Sequence, residues 1–312
     1  MAARSRRAVL EERQAYAFIG PVLVAIGLTS LLPTVYSLYI SLTNFSLAHF
    51  MDYEFVGLAN YARILTGANR AEFFRVLFWT VEFATISLVC PLAIGHGLAL
   101  LLNNRHLRGR NVYRTILILP WTLPVVLTCL VWQVILNTKF GVLNAALIDL
   151  LGIAPVPWLT EPTWAKASLV LVFTWLAYPF MMTINLGALQ SIPPEVHEAA
   201  AIDGAGALQR WWYITLPSLR ATLAPLMVTS FAYHFNVFNV IYLITEGRPA
   251  VDPTQLAGAT DNLMTFTYKQ MYGQHAFGLT AAYGVIIFLL IGPVTALGFR
   301  LSGAFRAVEG HR

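Results

Sequence analysis

The stretch from Ser191 to Pro217 reads SIPPEVHEAAAIDGAGALQRWWYITLP and separates two long apolar runs. Its adjacent prolines end one helix and suit the first turn of another, and the three consecutive alanines favour helix. Gly204 and Gly206 then interrupt the helix, and a stretch rich in Trp and Tyr continues to the last proline. The pattern predicts two short helices joined by a glycine turn, which project as a loop over residues 193–217. A re-entrant loop, or one that lies along the membrane interface, is the alternative interpretation.

Six long apolar runs, two of which flank this loop, account for most of the chain. A helix needs about 20 apolar residues to cross the hydrocarbon core of a membrane, and each run meets that length. The prolines inside the runs would break β-ladders but are tolerated in membrane helices. The sequence therefore predicts an all-α integral membrane protein whose six transmembrane helices cover residues 17–42, 76–102, 113–136, 167–190, 221–244 and 277–300.

The composition excludes the main soluble classes of protein. Of the 312 residues, 57% are hydrophobic and only 11% are charged, whereas soluble domains contain about 25% charged residues. A cytosolic enzyme of this size would need more polar surface, and a disordered chain would contain less apolar sequence. Cys90 and Cys129 both lie within apolar runs, so neither a disulfide framework nor a cysteine-based metal site is expected.

The distribution of Lys and Arg predicts the orientation of the spans, because cytoplasmic loops are enriched in these residues. With the segment 1–16 in the cytoplasm, thirteen of the twenty basic residues fall on the cytoplasmic side and seven on the other side. Both termini are then cytoplasmic. The first apolar run has about 26 residues, which is longer than the core of a signal peptide and predicts a retained span. The net charge of +5 follows from this topology and requires no nucleic-acid partner.

The loop over residues 193–217 carries a motif of fixed spacing. Glu198-Ala199-Ala200 is followed by Gly204, then by Ile214, and Leu216-Pro217 ends the pattern. This spacing resembles the EAA signature of bacterial ABC-importer permeases and implies their six-helix type I (MetI-like) fold in the bacterial plasma membrane. By this resemblance the loop inserts into a cleft of the cytoplasmic ATPase. The coupling residues are then Glu198, Ala199, Ala200, Asp203, Gly204, Ile214, Leu216 and Pro217.

The same resemblance implies a set of partners. Glu198 would meet a basic residue of the ATPase, and Gly204 would permit the turn between the short helices. The chain has no G-x-x-x-x-G-K-[ST] sequence, so ATP and its Mg²⁺ would be bound by the partner ATPase. This chain is expected to bind no cofactor or metal and to have no catalytic residue. The implied partners are a second permease subunit, a dimer of ABC ATPase subunits, an extracellular or periplasmic solute-binding protein, and membrane lipid.

A narrower resemblance, over roughly residues 110–300, is to the maltose/maltodextrin permeases. It rests on residues 174–182 (TWLAYPFMM), on residues 203–206 and 225–232, and on the segment around Asp261 and Thr267-Tyr268. Those permeases carry two further N-terminal helices and a large periplasmic domain, so this chain resembles a minimal six-helix form. The resemblance places the substrate-binding residues at Trp121, Phe173, Leu176, Ala177, Phe180, Ser230, His234 and Val237.

Helix geometry agrees with this set, since residues 173, 176, 177 and 180 share one face, as do residues 230, 234 and 237. Aromatic rings can stack on sugar rings, and hydroxyl and imidazole groups supply hydrogen bonds; ordinary packing between helices is the alternative. Maltose permeases have amides at the positions of Phe173, His234 and Val237, so the predicted pocket is more apolar here. The solute is predicted to be a di- or oligosaccharide, of maltose/maltodextrin type.

Another carbohydrate or polyol fits the sequence as well as a maltodextrin does, whereas glycerol phosphate, a secondary carrier and a membrane enzyme fit it less well. Another carbohydrate or polyol, such as trehalose, is compatible with the same residues, whereas glycerol phosphate is disfavoured because the set contains no basic residue. A proton-coupled secondary carrier could use Glu82 and His234, although Glu82 is more simply predicted to pair with a basic or hydroxyl group on a neighbouring helix. A membrane-embedded enzyme is disfavoured, because paired carboxylates and the H-E-x-x-H and G-x-S-x-G motifs are missing from the sequence.

Overall fold

The computed structural model describes residues 6–104 and 106–302, and this part of the chain is helical apart from loops and two isolated β-bridges. The helices are α1 (Arg6–Ile26), α2 (Leu32–Ile40), α3 (Ala59–Leu65), α4 (Arg70–Asn103), α5 (Arg110–Thr122), α6 (Val125–Ile135), α7 (Val142–Leu151), α8 (Pro162–Gln190), α9 (Pro194–Ile202), α10 (Ala207–Arg210), α11 (Leu216–Phe235), α12 (Asn239–Thr245), α13 (Leu263–Gly273) and α14 (Phe277–Leu301). Single π-helical turns, Gly27–Leu31 and Trp211–Thr215, join α1 to α2 and α10 to α11.

Six segments of the described chain have the length and composition of membrane spans. Five are continuous or nearly so, and the sixth is the bent pair α5 and α6: Tyr16–Ile40, Arg70–Asn103, α5 with α6, Pro162–Gln190, Thr222–Thr245 and Phe277–Leu301. Several bounds differ from the sequence prediction. The first span ends at Ile40 rather than at residue 42, and the second begins at Arg70 rather than at residue 76. Within the predicted N-terminal segment 1–16, residues 1–5 lie outside the described residues and α1 begins at Arg6.

The fourth span begins at Pro162, earlier than the predicted residue 167, because a capping residue precedes it. The Glu161 carboxylate accepts hydrogen bonds from the backbone N–H groups of Thr163 (3.1 Å) and Trp164 (3.0 Å), and Pro162 occupies the first helical position. A side-chain acceptor at the N-cap satisfies N–H groups that have no partner within the helix. The hydrogen bonds from Trp164 and Thr163 also lower the pKa of Glu161.

The third span, predicted as residues 113–136, is two helices that meet at an angle of 92°. Leu123 lies between them in an extended conformation (φ −79°, ψ 141°) and is followed by Pro124. A proline disfavours helical backbone at the residue before it, so the helix ends there. The bend separates α5, which packs against α8, from α6, which packs against α12.

The fifth span is also interrupted, at residues 236–238 between α11 and α12. The Asn236 amide donates back to the carbonyl oxygen of Ala232 (2.8 Å), and the Asn262 amide donates to that of Val237 (2.5 Å). These two amides thus donate hydrogen bonds to backbone carbonyl oxygens near the break, where the regular hydrogen bonds of the helix end. The span predicted over residues 221–244 is therefore interrupted two residues after His234.

The described residues form two compact units, one from the chain up to Ala68 with Gln270–Ile286 and the other from Asn69–Lys269 with the chain after Ile287. In the first unit, the Asn60 amide donates to the carbonyl oxygens of Ser41 (2.9 Å) and Thr43 (2.8 Å), just after α2. Phe45 packs its ring against that of Phe277, with centroids 5.1 Å apart. No residue in the apolar stretch of the first span is buried, so its side chains need lipid or another subunit to cover them.

In the second unit, the backbones of α4 and α8 come into close contact at Gly95. A Cβ added to Gly95 would lie 2.6 Å from the backbone N of Met182 and 2.8 Å from the carbonyl carbon of Met181. Toward the C-terminal ends of α4 and α8 lies a hydrophobic cluster that includes Ala99, Leu102 and Leu186. Toward their N-terminal ends lies a larger cluster that includes Phe83, Leu169 and Phe173. These clusters hold α4 and α8 together as a pair.

The segment between α12 and α13 folds around a buried carboxylate. Asp261 is 1% exposed and accepts hydrogen bonds from the Gly258 N–H (2.7 Å), the Thr265 hydroxyl (2.8 Å) and the Lys269 ammonium (2.6 Å). Arg75 of α4 donates to the carbonyl oxygens of Gly258 and Ala257, at 2.9 and 2.8 Å. A buried charge is stable only when it is paired and hydrogen-bonded, so this segment has one defined conformation on the end of α4.

Candidate functional site

The loop over residues 193–217, which we call the coupling loop, stands out by its exposure. Its first limb is α9, in which no residue is buried; Pro194 lies in the first turn together with Glu195. Both residues suit a helix start, since proline needs no hydrogen-bond acceptor and a carboxylate complements the positive end of the helix dipole. Glu198 and Ala199 are exposed, whereas Ala200 is half-buried. The acidic side chain of the motif is therefore accessible to a partner.

The first limb ends in a glycine turn of defined geometry. Gly204 has φ +85°, its N–H donates to the Ala201 carbonyl (3.1 Å), and the Ala205 N–H donates to the Ala200 carbonyl (2.9 Å). These two hydrogen bonds are those of a Schellman motif, in which the residue after the cap adopts the left-handed conformation. Only glycine adopts that conformation without steric strain, which explains the residue type at position 204.

The second limb, residues 207–217, is continuous with the fifth span. The Gln209 side chain accepts a hydrogen bond from the Gly206 N–H (2.8 Å) at its start, and α10 passes through the π-helical turn Trp211–Thr215 into α11. Pro217, which the sequence placed at the end of the loop, lies in the first turn of α11. Because helix continues without a break, displacement of the second limb displaces the start of this span.

The coupling loop exposes apolar side chains beside its polar residues. Ile202 is 86% exposed, Leu208 76% and Tyr213 75%. An open hollow of about 340 Å³ lies between the glycine turn and the second limb, lined by Asp203, Gly204, Ala205, Gln209, Arg210, Tyr213 and Ile214. Leu216 and Pro217 are exposed where α11 begins. Clustered exposed apolar side chains with a polar surround are typical of a protein-binding surface.

The structure brings together two pairs of the predicted substrate-binding residues. Trp121, which is exposed near the bend of the third span, has its ring centroid 5.8 Å from that of Phe180 on α8. Phe173 and His234 form an edge-to-face pair with ring centroids 4.7 Å apart. Ser230 is half-buried one helical turn before His234. Trp121 and Phe180 thus present aromatic surface that can receive a ligand, as sugar stacking requires.

The remaining predicted residues are packed in the protein interior. Phe173, Leu176 and Val237 belong to the larger hydrophobic cluster, and Ala177 packs against it. His234 is 4% exposed, contacts the backbone carbonyl of Ala84, and leaves Nδ1 without a hydrogen-bond partner among the described residues. A buried polar atom without a partner is uncommon and marks a place where another group can bind.

Glu82 lies in a groove rather than in an ion pair. It lines an open cavity of about 740 Å³ between α4 and α8, together with Lys166 and Thr174. The Lys166 ammonium lies 4.4 Å above the ring of Trp79, and among the described residues Glu82 forms no ion pair or hydrogen bond. The predicted direct partner of Glu82 is therefore not seen, because Lys166 contacts the aromatic ring instead.

Sequence reasoning missed the residues that tie the coupling loop to the spans. The Trp211 indole N–H donates to His96 Nε2 (3.0 Å), and His96 Nδ1 is 3.0 Å from the Asn185 side-chain oxygen. Arg210 donates to the carbonyl oxygen of His197 (3.4 Å), across the two limbs. The available signal was a histidine and an asparagine inside otherwise apolar spans, which are rare unless they bond one another.

A chain of six spans with a projecting helix–turn–helix loop between the fourth and fifth has the architecture of an importer's membrane subunit. The sequence model of the family described as binding-protein-dependent transport system inner membrane component matches residues 92–306, and the chain belongs to this family. The predicted all-α importer-permease fold is thereby confirmed.

Two relatives of this chain are named as sugar permeases. The galactooligosaccharides transport system permease protein GanP of Bacillus subtilis is 34% identical over 302 residues, which are 96% of this chain and 72% of GanP. The maltose/maltodextrin permease MalF of Salmonella typhimurium is 39% identical over 250 residues, 78% of this chain. The chain spans 48% of the length of that MalF protein.

Solved structures show the same fold. A chain of a bacterial ABC transporter involved in the import of the acidic polysaccharide alginate has a TM-score of 0.79 with 22% identity, and the match covers 95% of this chain and 97% of the other. A second structure of an alginate ABC transporter, in complex with an alginate pentasaccharide-bound periplasmic protein, gives a TM-score of 0.80, 22% identity, and covers 97% and 98% of the two chains. At this identity the likeness establishes the fold alone.

Proposed function

We propose that this protein is a permease subunit of an ATP-driven ABC importer that takes up an oligosaccharide. The observation that carries the proposal is the exposed coupling loop, in which the EAA spacing coincides with a Schellman turn at Gly204. A secondary carrier has no use for such a loop, since no separate subunit drives it. In an ABC importer the loop binds the ATPase, its exposed apolar residues form the contact, and the helix that continues into the fifth span transmits the movement.

The ATPase is the partner assigned to the coupling loop. Glu198 offers a negative charge, and Ile202 and Leu208 offer apolar surface on either side of the glycine turn. A small apolar core surrounded by polar groups is the usual composition of a protein interface. The ATPase subunits would bind ATP and Mg²⁺, and their closure would move the loop. This assignment places the loop, and with it both chain termini, in the cytoplasm.

A second permease subunit is proposed because one chain supplies one coupling loop for a dimer of ATPases. The exposed apolar first span and the exposed ring of Trp121 provide surface that another subunit can cover. A solute-binding protein would deliver the solute to the opposite face of the membrane. Binding-protein delivery agrees with the family to which the chain belongs.

A neutral oligosaccharide is the solute that the aromatic residues support. Trp121 and Phe180 can stack on sugar rings, and His234 Nδ1 is an unpaired polar atom on the next helix. No basic side chain belongs to the predicted set, which disfavours phosphorylated and acidic solutes. Maltodextrins, as carried by MalF, and galactooligosaccharides, as carried by GanP, both have this chemistry.

Uptake of labelled oligosaccharides by membrane vesicles tests the proposal. Vesicles with the complete complex should accumulate the solute when ATP is supplied on the cytoplasmic side, and should stop when the ATPase subunits are deleted. In the same vesicles Trp121→Ala and Phe180→Ala should each reduce uptake by about fivefold, because each removes a stacking face worth on the order of 1 kcal/mol. Phe78→Ala, at an exposed ring on α4, is the matched control and should transport normally.

Two outcomes would contradict the proposal. Uptake that persists without the ATPase and follows a proton gradient would identify a secondary carrier. Normal uptake by both Trp121→Ala and Phe180→Ala, in complexes that assemble fully, would place the solute pathway elsewhere in the chain. A loss that occurs equally in Phe78→Ala would show that the vesicles report assembly rather than solute binding.

A further inference from the structure

A row of hydrogen bonds crosses three helical segments at the base of the coupling loop. Trp211 of the second limb donates its indole N–H to His96 Nε2 on α4, at 3.0 Å. His96 Nδ1 lies 3.0 Å from the side-chain oxygen of Asn185 on α8. Asn185 is fully buried, and its amide nitrogen donates to the Met181 carbonyl oxygen at 2.8 Å. The row therefore runs from the coupling loop to the interior of the α4–α8 pair.

The partners fix the tautomer of His96. An indole nitrogen can only donate, so Nε2 of the imidazole must accept. The proton of the neutral ring is then on Nδ1, which donates to the Asn185 oxygen, and that oxygen is identified as the acceptor because the Asn185 nitrogen already donates to Met181. Each member has a complementary partner, so the row has one consistent set of donors and acceptors.

The row adds a polar connection beside the apolar contact in which Leu219 of α11 packs with Ala99 of α4 and Leu186 of α8. On one side, α4 and α8 meet at Gly95, directly before His96, where there is no space for even a Cβ atom. On the other side, the second limb borders an open cavity of about 1020 Å³, lined largely by apolar side chains of α4 and α11. The limb therefore has room to move, and the indole–imidazole hydrogen bond restrains it.

The local helix geometry places Trp211 at this junction. Trp211 begins the π-helical turn Trp211–Thr215, whose widened ladder closes with the Leu216 N–H on the Trp211 carbonyl. The Thr215 hydroxyl donates to the Arg210 carbonyl (3.4 Å). Single π-helical turns inside α-helices frequently occur at functional sites. Here the turn lies between the coupling loop and the fifth span.

We propose that His96 is a positioning residue that ties the second limb of the coupling loop to the α4–α8 pair, so that loop movement is transmitted to these spans as well as to α11. This inference rests on the proposed importer function. Without the row, the apolar contact at Leu219 would remain, but less of the limb's displacement would reach α4 and α8. ATP hydrolysis would then continue with less solute moved for each ATP consumed.

The test uses the complete complex in proteoliposomes and measures solute imported and ATP hydrolysed in the same sample. Trp211→Phe keeps an aromatic ring but removes the N–H, and His96→Phe removes both imidazole nitrogens. Each should lower the ratio of solute to ATP by about tenfold, since a polar group in a half-buried row loses its partner. His96→Gln, whose amide can both accept and donate, should restore most of the ratio. Trp164→Phe, at an exposed indole in the first turn of α8, should leave it unchanged.

The ratio separates transmission from stability. A merely structural role would lower uptake and hydrolysis together and leave the ratio at its normal value, which would overturn the inference. A normal ratio in both Trp211→Phe and His96→Phe would also overturn it, and if His96→Phe does not assemble, Trp211→Phe alone decides. Absence of ATP-driven uptake in the unmodified complex would instead overturn the proposed function, and this inference with it.

Discussion

Replacing Gly204 by valine should abolish coupled uptake while leaving the six spans inserted. Gly204 has φ +85°, and no atom lies within 4 Å of the Cβ that a side chain would add. The effect must therefore come from the backbone: the left-handed conformation costs an ordinary residue about 1–2 kcal/mol, and β-branched residues rarely adopt it at all. To relieve the strain the turn must open, and the hydrogen bonds to Ala200 and Ala201 are then lost. We expect uptake to fall by more than about tenfold, as a change above 1.4 kcal/mol implies.

Two matched variants make the Gly204 prediction specific. Gly204→Asn should retain part of the uptake, because asparagine tolerates the left-handed conformation better than other non-glycine residues. Gly206→Ala should transport normally, since Gly206 has φ −67° and an added Cβ would meet only the Gln209 side-chain oxygen at 3.7 Å. Uptake and ATP hydrolysis are measured in the same vesicles. Normal uptake with Gly204→Val, or equal losses with Gly204→Val and Gly206→Ala, would contradict the role of the turn.

Replacing Lys269 by methionine should give the largest loss of stability among single substitutions in the second unit. Lys269 donates to the buried carboxylate of Asp261 at 2.6 Å, and the side-chain exposures are 20% and 0%. Removing one partner of a buried ion pair leaves an uncompensated charge and typically costs about 3–5 kcal/mol. The hydrogen bonds from Gly258 and Thr265 remain, so the loss reports the missing charge. Thermal unfolding of the purified protein in detergent measures the change.

Two comparisons isolate the buried charge in the Lys269 prediction. Arg248→Met removes an exposed ion pair to Glu246, with a distance of 3.2 Å and side-chain exposures of 75% and 56%, and should change stability by less than about 1 kcal/mol. Combining Lys269→Met with Asp261→Asn removes both charges and should recover much of the lost stability. If Lys269→Met unfolds like the parent protein, or if the double variant is less stable still, the account of this segment is wrong.

The number of spans could be predicted from sequence, but their shape could not. Hydropathy depends on composition, which is nearly the same in a straight and a bent helix. The 92° angle between α5 and α6 therefore could not be predicted from the sequence. Pro124 is compatible with a helix end at this position, but a proline alone does not predict one, because other prolines of the spans, such as Pro91 in α4, lie inside helices. The break at residues 236–238 contains no proline or glycine. It depends partly on Asn262, which lies 25 residues away in sequence.

The coupling loop was predictable to a greater extent than the solute-binding residues. Two prolines, an alanine run and two glycines are local signals, and the glycine turn depends on residues within one helical turn of Gly204. The face that carries Phe173 and His234 follows from helical periodicity, but periodicity does not tell whether a face is packed or open. Phe173 proved to be packed in the interior. The contact of Trp211 with His96 joins residues 115 apart in sequence, which no local pattern reveals.

The central claim, that the coupling loop contacts an ATPase subunit, is tested most directly by site-specific cross-linking in native membranes. Ile202→Cys places a thiol at a side chain that is 86% exposed, beside the glycine turn. Val251→Cys places one at a residue that is 51% exposed, beyond the opposite end of the fifth span. The parent protein sets the background, since it has two free cysteines, of which Cys90 is half-buried and Cys129 is buried. A reagent that joins thiols to lysines then reports which partners lie within reach.

We expect Ile202→Cys to form a cross-link to the ATPase subunit and Val251→Cys to form none. A cross-link from Val251→Cys to the ATPase, or none from Ile202→Cys in membranes that transport the solute, would contradict the account.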